Sequence, residues 1–175
     1  VIDVTDADRL FREYHQPLVR YLTRRLGDRD WAEEVAQETF VRALRQETIV
    51  SERSWLFAVA NNLVRDEARR SARERRHLQL LAAEARDAEQ AAPALTIERA
   101  QERADARSAL DGIAERDRQA LLLKEEGLDY GEIAEILGIE KSSVGTTLSR
   151  ARRRLAESFE ALQDARRRRE QNAAS

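Results

Sequence analysis

Residues 127–155 read GLDYGEIAEILGIEKSSVGTTLSRARRRL. Ala134 stands inside a short run of helical apolar spacing, Gly138 follows four residues later, and Val144 lies six beyond that. Those residue types at those separations suit two helices crossing at a sharp turn, a helix-turn-helix. A small residue at 134 lets the helices approach closely, and Gly138 supplies a left-handed turn without a Cβ penalty. Val144 plugs the second helix onto the first, and Ile133, Ile136, Leu137, Ile139 and Leu148 complete the apolar seam. The second helix is expected to begin near Lys141 or Ser142 and to enter a DNA major groove N-terminus first. Ser142, Ser143, Gly145, Thr146, Thr147, Ser149 and Arg150 are then candidates for the groove. Arg150, Arg152, Arg153 and Arg154 are candidates for phosphates, which fix register. A plain helical hairpin with a basic C-terminal end, which also suits the helix dipole, gives the same local pattern.

Outward from this motif the chain continues to read as helix. Its apolar residues are mostly Ala and Leu, Gly and Pro are scarce, and only nine of its 175 residues are aromatic. That composition favours two small helical cores over a strand-rich fold. Upstream, Ala106, Ala109, Leu110 and Ile113 suggest one helix, and Gln119 to Glu126 another around Leu121, Leu122 and Leu123. In the first half, a helix from about Asp8 to Leu26 carries Leu10, Phe11, Tyr14, Leu18, Leu22 and Leu26, with a kink or break expected at Pro17. A second runs from Asp28 or Asp30 to about Arg45, burying Trp31, Val35, Ala36, Phe40 and Leu44. A third runs from about Ser54 to Arg76, burying Trp55, Leu56, Val59, Ala60, Leu63 and Val64, with Phe57 in reserve. Between the halves lies an Ala-rich, charged stretch with little to bury, which reads as a tether. The expected fold is all-α: two small helical domains joined by a flexible linker, the second containing the helix-turn-helix. The expected bounds are 1–76, a linker over 77–97, a second domain over 98–162, and a basic tail over 163–175.

The net charge of −2 conceals an uneven distribution. Residues 1–50 carry 8 basic and 10 acidic groups, 51–77 carry 7 and 4, 78–140 carry 7 and 15, and 141–175 carry 9 and 4. Each half therefore has a basic block that suits a polyanion, although charged helix faces in water give similar blocks. The absence of cysteine excludes disulfides and thiolate metal sites and fits a cytoplasmic setting. No apolar run approaches a bilayer span and the start lacks a signal-peptide pattern, so no membrane insertion is expected. The two histidines, His15 and His77, are far apart, and neither a phosphate loop nor metal-ligand spacing occurs, so no catalysis, cofactor or metal is expected.

Two faces in the first half carry chemistry of their own. Asn62, Arg65, Arg69 and Arg73 share one side of the third helix, with Asp66 and Arg70 beside it. Cations for phosphates interleaved with an amide for bases suit a single strand of DNA. A basic helix paired with Glu67 and Glu74 is the simpler reading of the same residues. On the second helix, Glu34, Gln37 and Glu38 form one polar stripe.

At these residues the sequence resembles the extracytoplasmic-function group of RNA polymerase sigma factors. The stretch WAEEVAQETF over 31–40 is similar to the family's polymerase-docking helix, and WLFAVANNLVRDEARR over 55–70 to its DNA-melting helix. AERDRQALLL over 114–123 with the helix-turn-helix is similar to its promoter-recognition domain. The resemblance implies a specificity subunit that directs promoter-specific transcription initiation. Glu34, Gln37 and Glu38 would dock on the coiled coil of the polymerase largest subunit, and the flap of core polymerase is implied as a further contact. Asn62, Arg65, Asp66, Arg69, Arg70 and Arg73, with the loop Gln46 to Arg53, would hold the minus-ten element. Ser142, Ser143, Thr146, Thr147, Ser149, Arg150 and Arg153 would read the minus-thirty-five element. A cognate anti-sigma factor is implied as well. The chain departs from the family at Gly145 and Thr147, where Lys and Arg are frequent, and at Asn61, where Arg is frequent. A one-component regulator with the same helix-turn-helix is the rival; it binds an operator without polymerase.

Overall fold

In the computed structural model, which describes residues 4–78 and 97–173, each of these two stretches forms its own compact unit. Seven helices and no strand occur among the described residues. The expected tether lies, from 79 to 96, outside the described residues. None of the helices is long and apolar enough to cross a membrane.

The first unit is a three-helix bundle of α1 (Val4–Leu26), α2 (Arg29–Leu44) and α3 (Glu52–Leu78), each packed on the other two. Gly27, at φ 78°, ends α1, and the Asp28 side chain accepts from the Trp31 N–H at 3.0 Å to start α2. Asp28 rather than Asp30 is therefore the cap. Of the kink or break expected at Pro17, the break does not occur: α1 runs on through the proline. The ring deprives the Glu13 carbonyl of its helical donor, but Leu18, Val19, Tyr21 and Leu22 just beyond it are buried and hold the second half of the helix in place.

The core differs from the expected one in its rotation about α2 and α3. On α2 the buried side is Ala32, Val35, Ala36, Thr39, Phe40 and Ala43, while Trp31 is half-buried and Leu44 exposed. On α3 it is Leu56, Phe57, Ala60 and Val64, with Trp55, Val59 and Leu63 at the margin. Phe57 is thus central, its ring centroid 5.2 Å from that of Tyr21. Of the expected α1 face, Leu10, Leu18 and Leu22 are buried and Phe11 is exposed. A polar knot joins α1 to α3: Tyr21 Oη donates to Asn61 Oδ1 at 2.8 Å, and Arg25 donates to the same oxygen.

The second unit packs α4 (Ile97–Asp111), α5 (Glu115–Glu125) and α6 (Tyr130–Leu137) on a long α7 (Lys141–Ala173). Asp129 and Glu132 form a reciprocal capping box that starts α6. Gly138 ends it in the left-handed region, at φ 63°, and the Ile139 N–H returns to the Ala134 carbonyl at 3.0 Å. Ala134, Ile133, Ile136, Leu137, Val144 and Leu148 are buried as expected, whereas Ile139 and Leu121 are half-buried. The residues of the expected tail do not form a separate segment, because α7 continues to Ala173. Its Arg166 lies 3.7 Å from Asp105 of α4.

The turn makes a first prediction. A Cβ at position 138 would have no atom within 4 Å, so Gly138→Ala tests conformation alone. It should lower the stability of the second unit by about 1–2 kcal/mol, read by urea unfolding; an unchanged midpoint would show that the left-handed geometry is dispensable.

Candidate nucleic-acid interface

The outward side of α3 begins at a groove. Trp55, Val59 and Asn62 recur at helical spacing on α3 and face Arg42, Arg45 and Gln46 at the end of α2, enclosing about 270 Å³. An aromatic wall, four amide or guanidinium neighbours and an open mouth suit an unstacked base with its phosphate. Beyond the groove, Asn62, Arg65, Asp66, Arg69 and Arg70 are all exposed. Arg73 belongs to α3, but its side chain lies outside the described residues. Arg69 lies 3.9 Å from Asp66 and Arg70 3.3 Å from Glu67, both pairs in water. Such pairs contribute about 0–1 kcal/mol, so either arginine can exchange its carboxylate for a phosphate at little cost. The connection before α3 presents Val50, which is 96% exposed. Asn61, by contrast, is buried in the knot with Tyr21 and Arg25 and belongs to the core. Arg42, Arg45 and Trp55 were not singled out from the sequence as site residues, and Val50 only as part of the loop Gln46 to Arg53; the aromatic at 55 seven residues before Asn62 was the available signal.

The outward side of α2 carries Glu34, Gln37 and Glu38, all exposed. Val41, 40% exposed, continues the stripe at i+3 from Glu38 and gives it an apolar centre that sequence reasoning missed. Glu38 accepts from Arg42 Nε at 2.8 Å, so the arginine that lines the α3 groove also touches the acidic stripe.

On α7, Ser142, Ser143, Thr146, Ser149 and Arg153 are exposed. Ser142, Thr146, Ser149 and Arg153 succeed one another at intervals of three or four residues and so form a single face. The same face then turns acidic at Glu157, Glu160 and Asp164, also exposed, which marks where a polyanion must leave the helix. Thr147 is a correction. It is 6% exposed, on the side of Val144, Leu148 and Ala151, and fills the seam instead of a groove. Gly145 is half-buried, a Cβ there standing 3.6 Å from the Tyr130 ring. Arg150 is not extended into solvent: its Nε and Nη2 donate to Asp117 of α5 at 3.0 and 2.6 Å. Those hydrogen bonds hold the buried Asp117 below the usual carboxylate range, against the opposing effect of burial.

The second unit has a groove of its own, about 350 Å³ between α4 and α7, lined by Ala106, Ala109, Leu110, Leu155, Ala156 and Phe159, with Arg152 at its edge. Among the described residues, no group of three or more metal-ligating side chains converges. His15 instead lies 3.2 Å from Glu33 and stacks on Phe11.

Comparison with known proteins agrees with this division. Residues 10–74 match the family model for Sigma-70 region 2, and residues 103–155 the model for Sigma-70 region 4. The chain is 35% identical over 150 residues to the ferric citrate uptake sigma factor FecI of Escherichia coli (strain K12), covering 81% of this chain and 84% of that protein. It is 33% identical over 152 residues to the RNA polymerase sigma factor YlaC of Bacillus subtilis (strain 168), covering 82% and 86%. The fold is similar to that of the sigma factor RpoE, solved in complex with the anti-sigma factor NepR from Bartonella quintana, with a TM-score of 0.70, 23% identity, and coverage of 90% and 98%.

Proposed function

Because the chain belongs to the extracytoplasmic-function group of RNA polymerase sigma factors, we propose a division of labour in which its first unit docks on polymerase and holds the opened minus-ten strand while its second reads the minus-thirty-five duplex. The observation that carries this reading is the groove of Trp55, Asn62, Arg42 and Arg45 opening onto the exposed arginines of α3. Duplex DNA offers no base to such a groove; a melted strand does. Unstacking a base costs a few kcal/mol, and a ring to stack on together with cations for the phosphates offsets it. Val50 at the tip of the preceding connection supplies an apolar contact beside the extruded base. On α7 the short hydroxyl side chains from Ser142 to Ser149 admit the helix deep into a major groove, with Arg153 at the rim.

Glu34, Gln37, Glu38 and Val41 are the surface for the coiled coil of the largest subunit, with charge for steering and an apolar centre for burial. The apolar groove of α4 and α7 is the seat for the polymerase flap. An anti-sigma factor would act by covering these docking surfaces; the similar RpoE was solved in complex with an anti-sigma factor, NepR. The protein performs no catalysis itself and works in the cytoplasm, where polymerase is.

Transcription reconstituted from purified core polymerase and this chain tests the reading: it should yield promoter-dependent transcripts that core alone does not. Tight binding to a duplex operator, with no binding to core and no transcripts, would return the rival regulator. Glu38→Arg refines the docking assignment. The exposed pair with Arg42 contributes little to stability, so the melting temperature should stay near wild type. Core affinity should fall about tenfold at low salt, and less as salt screens the interaction. An unchanged core affinity would remove α2 from the interface.

A further inference from the structure

The arginines of α7 are of two kinds. Arg153 is exposed and reaches only as far as Glu157, at 3.7 Å. Arg150 is gripped along one edge of its guanidinium by Asp117, yet its side chain remains 41% exposed. Asp117 is 2% exposed, and it also lies 4.0 Å from Arg154. A carboxylate this deeply buried is stable only while its cation stays in place. Arg150 therefore cannot unfold into the floor of a groove without taking both of its hydrogen bonds from Asp117, leaving only the more distant Arg154 beside it. The bidentate grip uses Nε and Nη2 and leaves the donors of Nη1 pointing elsewhere. Arg150 follows Ser149 and stands four residues after Thr146, on the flank of the face that enters the groove, where a duplex presents its backbone.

We propose that Asp117 is a positioning residue for the minus-thirty-five element: it presents the remaining edge of Arg150 to a backbone phosphate and makes that arginine a register contact, not a reader of bases. The inference rests on the assignment of α7 to that element. Of the two roles that the sequence leaves open for Arg150, groove and phosphate, it selects the phosphate.

The test uses full-length protein in reconstituted holoenzyme, on a promoter fragment taken from its own mapped transcript starts, with affinity measured over a range of salt. Arg150→Ala and Asp117→Asn should each weaken binding about 5- to 20-fold and reduce the salt slope by about 0.9, the loss of one phosphate contact. The double variant should lose no more than either single one, and base preference across the element should be unchanged. Arg150→Lys keeps the charge without the fork, so it should keep the slope and lose affinity. A wild-type slope for Asp117→Asn would overturn the positioning role. So would a changed preference at one base in Arg150→Ala, or wild-type affinity in Arg150→Lys, the variant that serves if Asp117→Asn does not fold. Should wild-type holoenzyme form no promoter-specific complex, the functional assignment fails instead.

Discussion

Phe57→Ala should destabilise the first unit by about 3–5 kcal/mol, the usual cost of emptying a buried phenylalanine site. Phe57 is 0% exposed and its ring packs near that of Tyr21, with Leu56, Ala60 and Val64 on the same side of α3. A domain of this size has only about 0.05–0.15 kcal/mol of stability per residue, so the loss is a large share of the total. The measurement is unusually clean, because the two tryptophans, Trp31 and Trp55, both lie in the first unit. Urea unfolding followed by tryptophan fluorescence therefore reports that unit alone. Its midpoint should fall sharply, while helix content of the second unit, followed by circular dichroism, unfolds as in the wild type. A loss under about 1 kcal/mol would mean that Phe57 does not stand at the centre of the core.

The rotation of α3 that centres Phe57 is also where reading the sequence reached its limit. Two apolar stripes overlap on α3, one through Trp55, Val59 and Leu63 and the other through Leu56, Phe57, Ala60 and Val64. Periodicity alone cannot choose between neighbouring stripes, since both have helical spacing. The choice is made by α1, whose Tyr21 ring meets Phe57 and whose Arg25 and Tyr21 donate to Asn61. The same knot explains the Asn61 departure. The residue that stands where the family often has Arg lies in the core, and Thr147, a groove candidate from sequence, lies in the seam of α7. The helix-turn-helix was legible because its constraints are local: a small residue at 134, a left-handed glycine at 138 and a plug at 144 lie within eleven residues. Asp117 gave no such sign. It sits in a charged run that looks solvated, and only the crossing of α5 and α7 brings it to an arginine 33 residues away.

The half-buried stripe that the core does not use is the one proposed to hold the opened strand, and Trp55 is its test. Trp55→Ala removes the wall of the groove while leaving Arg42, Arg45 and Asn62 in place. Stacking of a base on an aromatic ring is worth about 1–3 kcal/mol, so formation of open complexes by reconstituted holoenzyme should fall about 5- to 150-fold. Permanganate reactivity of unpaired thymines near the minus-ten element measures it. Because Trp55 is at the margin of the core, some stability is lost as well, and fluorescence from Trp31 tracks how much. Trp55→Leu separates the two effects: it restores apolar bulk without a π-face, so stability should recover and strand opening should not. Trp55→Phe should recover both in large part. Core binding, proposed to rest on Glu34, Gln37, Glu38 and Val41 and not on the Trp55 ring, should be unchanged throughout. If Trp55→Leu opens promoters as well as the wild type does, the ring serves only to pack, and the strand must be held by the arginines of α3 without a stacking platform.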